Sequence, residues 1–214
     1  MENTFINGIC TNHNDKMEHM ASYSTNCQLC PTCKARHENG NYICSVCYSW
    51  KMITRFKALR DKLTRNTEHI TSHILEDYEI PFLNCAFFRF EAFGEIMNTT
   101  QVINYFKVAE KNGFCRFALW SKNPHIIAQA IEQGYEKPSN LNIIYSAEVI
   151  NMTDSEALAK IAPYDFIDAV FIVYTKAYAE EHNIIINCGF RKCVDCLRCY
   201  RKISSFVIIR ELEK

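Results

Sequence analysis

A chain of 214 residues with 24 basic and 24 acidic side chains carries no net charge. No whole-molecule field therefore draws it to nucleic acid or to a membrane. No stretch approaches the ~18 apolar residues of a spanning helix, and the opening MENTFINGICTNHNDKMEHM lacks a basic flank followed by an apolar core; the simplest location is the cytoplasm. Twelve cysteines in a reducing compartment argue against a disulfide framework. Most of them fall in two tight groups, which points to metal.

Residues 1–26 are polar and aperiodic and read as a loosely structured lead-in, with Cys10 and His13 as reserve ligands. Residues 27–214 read as a single α/β domain. It opens on a cysteine-rich loop over 27–48, CQLCPTCKARHENGNYICSVCY, which carries Cys27, Cys30, Cys33, Cys44 and Cys47. From Ser49 to about Asn66, Trp50, Ile53, Phe56, Leu59 and Leu63 recur every three or four residues and predict one amphipathic helix. Its other face is basic, with Lys51, Arg55, Lys57, Arg60, Lys62 and Arg65. Such a run is usually a solvated face, and it is also the surface that would meet nucleic acid or a partner protein.

From residue 70 apolar runs alternate with amphipathic helices. Cys85–Phe93 predicts a strand and Thr99–Lys111 a helix capped by Thr99 or Thr100. Phe114–Trp120 is a second strand, followed by a helix over His125–Gln133 that Gly134 closes. Leu141–Ile150 is a third strand before a short helix at Ser155–Ala162, and Ala169–Tyr174 is a fourth before a helical turn at Thr175–His182. This rhythm implies right-handed crossovers and a parallel sheet over 49–187. A second cysteine group, CGFRKCVDCLRC, opens the C-terminal segment 188–214 with Cys188, Cys193, Cys196 and Cys199.

Parallel sheets set their working groups at strand C-termini. Those positions here hold Arg89, Glu91, Glu95, Ser121, Lys122, Asn123, Ser146, Glu148, Tyr174, Thr175 and Lys176. Arg89 and Glu91 share a strand parity in a run otherwise made of Phe and Ala, where charges need each other, a ligand or water.

Thiolates two residues apart can turn back on one ion, whereas a disulfide across so short a loop is strained. Cys30-x2-Cys33 with Cys44-x2-Cys47 has the spacing of a four-thiolate zinc ribbon, with Cys27 as a fifth thiolate. The Cys193-x2-Cys196-x2-Cys199 run is a spacing iron–sulfur proteins use, the fourth cysteine coming from elsewhere. Spacing alone leaves zinc and iron–sulfur both open. Cys85 and Cys115 sit in apolar strands and read as core.

FFRFEAFGEI, FALWSKNP and KCVDCLRCYRK together resemble the phage gene product 88 family, from about Cys27 to Lys202. The matching positions are Cys47-Tyr48-Ser49, Arg89 through Gly94-Glu95, Trp120 to Asn123, and Lys192 to Tyr200. The resemblance implies a partial parallel (β/α) barrel that is radical-SAM-like, with cysteine-rich metal-binding segments at both ends. The order of cysteine loop, helix and strand ending in Gly-Glu is likewise similar to radical S-adenosylmethionine enzymes. By that likeness Cys33, Cys44 and Cys47 would hold a [4Fe–4S] cluster, and Gly94-Glu95 would take the amino group of S-adenosylmethionine. Arg89, Glu91, Lys122 and Asn123 would complete the cofactor mouth, and the four terminal cysteines would hold a second cluster. Those enzymes use a C-x3-C-x2-C triplet, which this chain lacks, since Cys33 and Cys44 are separated by ten residues.

Two functions follow. One is a radical-SAM-like iron–sulfur protein, an enzyme acting at the barrel mouth. The other is a zinc-stabilised, non-catalytic protein whose basic helix, with Arg191, Lys192, Arg198, Arg201 and Lys202, binds nucleic acid or a partner protein. Hydrolysis by a reactive cysteine is the weakest reading, because His37, His125 and His182 are scattered.

Overall fold

The computed structural model describes residues 4–11, 16–201 and 206–213. Its frame is a seven-stranded sheet whose spatial order follows the chain without reversal. The strands are β1 (Cys10–Thr11), β2 (Ala21–Tyr23), β3 (Phe87–Phe90), β4 (Arg116–Ser121), β5 (Leu141–Ser146), β6 (Ala169–Tyr174) and β7 (Val207–Leu212). Only the β1–β2 pair is antiparallel; β2 through β7 pair in parallel.

Right-handed crossovers that always step in one direction put their helices on one face of a sheet. The core agrees. One apolar cluster joins Phe88, Phe90, Phe117, Leu119, Ile143, Tyr145, Val170, Ile172 and Tyr174 to residues of six helices. The helices are α1 (Thr4–Gly8), α4 (Lys57–Ser72), α5 (Thr99–Lys111), α6 (Pro124–Glu132), α7 (Asp154–Ile161) and α8 (Lys176–Glu181). Phe90 stacks on Tyr105 at 4.1 Å and on Phe117 at 5.2 Å, each pair adding about 0.5–1.5 kcal/mol beyond area burial. Every residue of β5 is buried, as expected for a strand covered on both faces.

The helices begin where their caps dictate. Asn98, not Thr99 or Thr100, caps α5 by accepting from Gln101 N at 2.9 Å. Pro124 fits the first turn of α6 because its missing N–H would have no partner there. Thr153 and Glu156 form a reciprocal capping box on α7.

Three expectations change. The described residues before Cys27 are not a loose lead-in: α1 (Thr4–Gly8) packs on α4, and β2 takes a place in the sheet. Phe5, Met20 and Tyr23 are all buried, and Phe5 stacks on Tyr23 at 4.1 Å. A three-residue strand is too short to show a period, so the sequence hides it. The single helix expected over 49–66 is two, α3 (Tyr48–Arg55) and α4, parted where Phe56 adopts extended dihedrals. That break turns Phe56 to solvent while Ile53 and Leu63 stay buried. Finally, β7 extends the parallel sheet beyond the second cysteine group. His13 and Lys202 lie outside the described residues.

Candidate functional site

The first cysteine group hangs from the C-terminal end of β2. Cys27 follows Tyr23 by four residues, and α2 (Pro31–Glu38) starts at Cys30, whose sulfur accepts from the Cys33 N–H at 3.5 Å. Cys44 lies in the 3-10 turn Ile43–Val46, and Cys47 caps the start of α3. The two halves of the loop meet. Cys27 and Cys47 are neighbours, as are Cys30 and Cys33, each close enough to shift the other's acidity. Cys44 stands within electrostatic reach of Cys27, Cys33 and Cys47.

Each pair divides its acidity. The neighbouring Cys27 lowers Cys47 to about 5, and the neighbouring Cys33 lowers Cys30 to about 7. Cys27 and Cys33 are pushed up by the same neighbours and by burial. Cys27, Cys30, Cys33 and Cys44 are buried, and Ile53, Leu63, Trp50, Leu59, Phe93 and Met97 form an apolar shell around the group. His37 is structural: it stacks on Trp50 at 4.0 Å, and its Nδ1 lies 2.8 Å from the Cys44 carbonyl oxygen.

The neighbouring loop after β3 forms the other wall. The backbone of Glu91 enters the left-handed region at φ 56°, which breaks the strand alternation. Glu91 therefore points into the helix side of the sheet and Arg89 to the opposite face. The two do not pair, contrary to the shared parity of the sequence. Glu91 is fully enclosed: Thr25 donates to it from both N and Oγ1, Gln101 from Nε2 at 2.7 Å, and the Tyr105 hydroxyl donates as well. Burial raises its pKa to about 8 against the pull of those donors. Gly94 is required by close approach, because a Cβ there would stand 2.1 Å from Thr25 Oγ1 and 2.3 Å from Glu91 Oε2.

Glu95 is buried too. Its carboxylate accepts from Ser121 Oγ at 2.6 Å, from its neighbour Ile96 N at 2.9 Å and from Lys122 N at 2.9 Å, which stitches the loop to the end of β4. Asn123 donates to Thr32 Oγ1 and to the Ile96 carbonyl, and its own side-chain oxygen is buried without a partner. Lys122 Nζ donates to Ser146 Oγ at 3.0 Å and lies within reach of Cys44 and Cys47. Thus Glu91, Gly94, Glu95, Lys122 and Asn123 gather beside the first thiol group, and Arg89 does not.

Sequence reasoning missed Arg36, Thr25, Gln101 and Tyr105. Arg36 bridges α2 to the mouth through the Lys122 carbonyl and Glu148, each at 3.3 Å. No spacing signal links it to residues about a hundred positions away.

The second cysteine group lies on the other face of the sheet. Cys188, Cys193 and Cys199 pack with Met20, Ala118, Ile144, Tyr200 and Ile209. Arg89 sits over the Trp120 ring at 4.0 Å on this face. The thiols of each group have thiol neighbours in their own group. Among the described residues no three His, Cys, Asp or Glu side chains already stand in a ligating arrangement. The donor chemistry nonetheless suits a thiophilic metal: five converging thiols, two of them acidified, inside an apolar shell.

Cys85 and Cys115 are 3.8 Å apart in the core. The basic face of α3 and α4 is largely solvated: Lys51, Arg55, Lys57 and Arg65 are exposed, and Lys57 pairs with Asp61. No helix among the described residues is long and apolar enough to cross a membrane.

Fold and sites together define a one-directional parallel α/β protein with a cysteine group on each side of its sheet. The family model described as Gene product 88 matches residues 7–207, and the chain belongs to that phage protein family. No curated protein and no solved structure matches the chain.

Proposed function

We propose that this protein is a radical-SAM-like iron–sulfur protein whose first cysteine group, at the C-terminal mouth of a partial (β/α) barrel, holds a [4Fe–4S] cluster beside an S-adenosylmethionine site. One observation carries the reading: β2, unseen in the sequence, supplies the strand from which the cysteine loop departs. The order becomes strand, cysteine loop, helix, then a parallel neighbouring strand that ends in Gly94-Glu95. The unreversed strand order is the one a partial barrel has.

Cys33, Cys44 and Cys47 would be the ligands, with Cys44 within reach of both others. Cys27, kept protonated by burial and by its neighbour Cys47, would lie beside the Cys47 sulfur outside the ligand set, the kind of outer contact that tunes such centres. The cluster, when bound, would supply single electrons. The chain's own residues exclude water through Ile53, Leu63 and Trp50, and Lys122 sets a positive charge beside Cys44 and Cys47.

The test is binding and reductive cleavage of S-adenosylmethionine by protein purified without oxygen. Cleavage that disappears in Cys44→Ala, and cosubstrate affinity that disappears in Glu95→Ala, is the expected result. Full affinity in Glu95→Ala would remove Glu95 from the cosubstrate site.

A zinc-stabilised, non-catalytic protein is the second reading, and one feature favours it. The Glu95 carboxylate already accepts three hydrogen bonds from its own chain, as a purely structural residue would. In that case Cys30, Cys33, Cys44 and Cys47 hold one tetrahedral ion, and the exposed basic face of α3 and α4 meets nucleic acid or a partner protein.

A further inference from the structure

The second cysteine group lines a partly open cavity. Cys188, Cys193, Cys196 and Cys199 all line one cavity of about 300 Å³, together with Lys16, Leu197, Tyr200 and Ile209. That is the liquid volume of roughly ten waters, far more than one metal ion occupies. Three chain segments build the walls. Cys188 N is bonded to the Arg210 carbonyl on β7 at 3.0 Å, Cys193 N to the Lys16 carbonyl at 2.7 Å, and Asn142 on β5 donates to the Cys199 carbonyl at 3.0 Å. Cys193 and Cys196 share the single turn α9 (Cys193–Cys196). Gly189 at φ 103° and Leu197 at φ 52° then turn the backbone so that Cys188 and Cys199 face the same space.

The surroundings balance negative charge. Lys16 Nζ donates to Cys188 Sγ at 3.0 Å and to Glu211 at 2.8 Å. The Arg89 guanidinium, held over Trp120, lies within reach of Cys193 and Cys199, and its Nε is buried without a partner. A tetrahedral zinc site needs its sulfurs about 2.3 Å from one point and so within about 4 Å of one another. Here the four thiols line one cavity, and among the described residues no three His, Cys, Asp or Glu side chains already stand where they could hold an ion.

We infer that the second cysteine group is a separate site for a polynuclear iron–sulfur cluster, held by Cys188, Cys193, Cys196 and Cys199 and flanked by Lys16 and Arg89. The Cys193-x2-Cys196-x2-Cys199 run with a fourth cysteine from elsewhere supplies the four thiolates such clusters use. The inference deepens the iron–sulfur reading of the protein but does not depend on the first group or on S-adenosylmethionine.

The experiment is anaerobic reconstitution of the full chain with ferrous iron and sulfide, followed by iron, sulfide and zinc analysis. Cys44→Ala/Cys47→Ala is expected to keep about half the iron and sulfide of the unaltered protein, and Cys193→Ala/Cys196→Ala to lose the other half. Unchanged iron in Cys193→Ala/Cys196→Ala, or zinc without sulfide in Cys44→Ala/Cys47→Ala, overturns the second site. Unchanged iron in Cys44→Ala/Cys47→Ala instead overturns the first site and leaves the second standing. Lys16→Met, which keeps every thiol, covers the case of a misfolded cysteine variant. In the Cys44→Ala/Cys47→Ala background it is expected to shift the midpoint potential of the remaining cluster downward with iron content unchanged. An unmoved potential there contradicts a cluster against Lys16.

Discussion

The two cysteine groups have similar spacing and different surroundings. The first is wrapped in side chains of α3 and α4, its thiols set as neighbours in pairs, and a network around Glu91 and Glu95 stands beside it. The second rests on the opposite sheet face, half-buried, around an open cavity with cations at its edge. The difference teaches that one spacing pattern can settle into a closed surrounding beside a strand end and an open one on a sheet face. What decides is the element that each loop leaves: β2 for the first group, the β6–β7 crossover for the second.

The contrast can be broken from either side. The largest effect belongs to Cys44→Ala, which should abolish metal at the first group and leave the absorbance of the second, read by spectrum and iron analysis of the same sample. Glu91→Ala should cost about 3–5 kcal/mol in denaturant unfolding, because four donors lose their acceptor inside the core; an intact second-group spectrum would confine the damage to the first.

Glu91 also sets a pH dependence. Its folded-state pKa, about 8, lies above the ordinary carboxyl value. The folded state thus holds a proton that the unfolded state releases, and stability present below about pH 4.5 should fall as pH rises toward 8. The slope is up to about 1.4 kcal/mol per pH unit, and Glu91→Gln should remove it in unfolding series across that window. Glu95→Ala should cost about 2–3 kcal/mol by freeing the loop from β4.

At the small end, Trp120→Ala should lower stability by about 0.5–2 kcal/mol beyond lost packing by releasing Arg89, with any change in metal content confined to the second group. Replacing Lys51, Arg55 and Arg65 together by Ala should change stability by no more than about 0.5 kcal/mol per site and leave both metal contents alone; loss of nucleic-acid binding in that variant would favour the zinc reading.

Much of the scaffold was legible because its periods are long. The helices at 99–111 and 124–132 and the strand at 169–174 follow directly from apolar spacing and end signals. The short elements were not. β2 spans three residues, and the helix break at Phe56 has no Gly or Pro to announce it. At the site, Glu95, Lys122 and Asn123 could be found from strand ends and Gly94 from the likeness of the Gly-Glu motif, whereas the parity argument for Arg89 and Glu91 failed at one left-handed residue. Lys16, whose partner Cys188 is 172 residues away, gave no local signal.

The most direct test of the central claim is an ultraviolet–visible spectrum with iron, sulfide and zinc analysis on protein purified without oxygen. Brown protein with stoichiometric iron and sulfide, and an absorbance that Cys44→Ala diminishes, is the predicted result. Colourless protein that carries only zinc would contradict it.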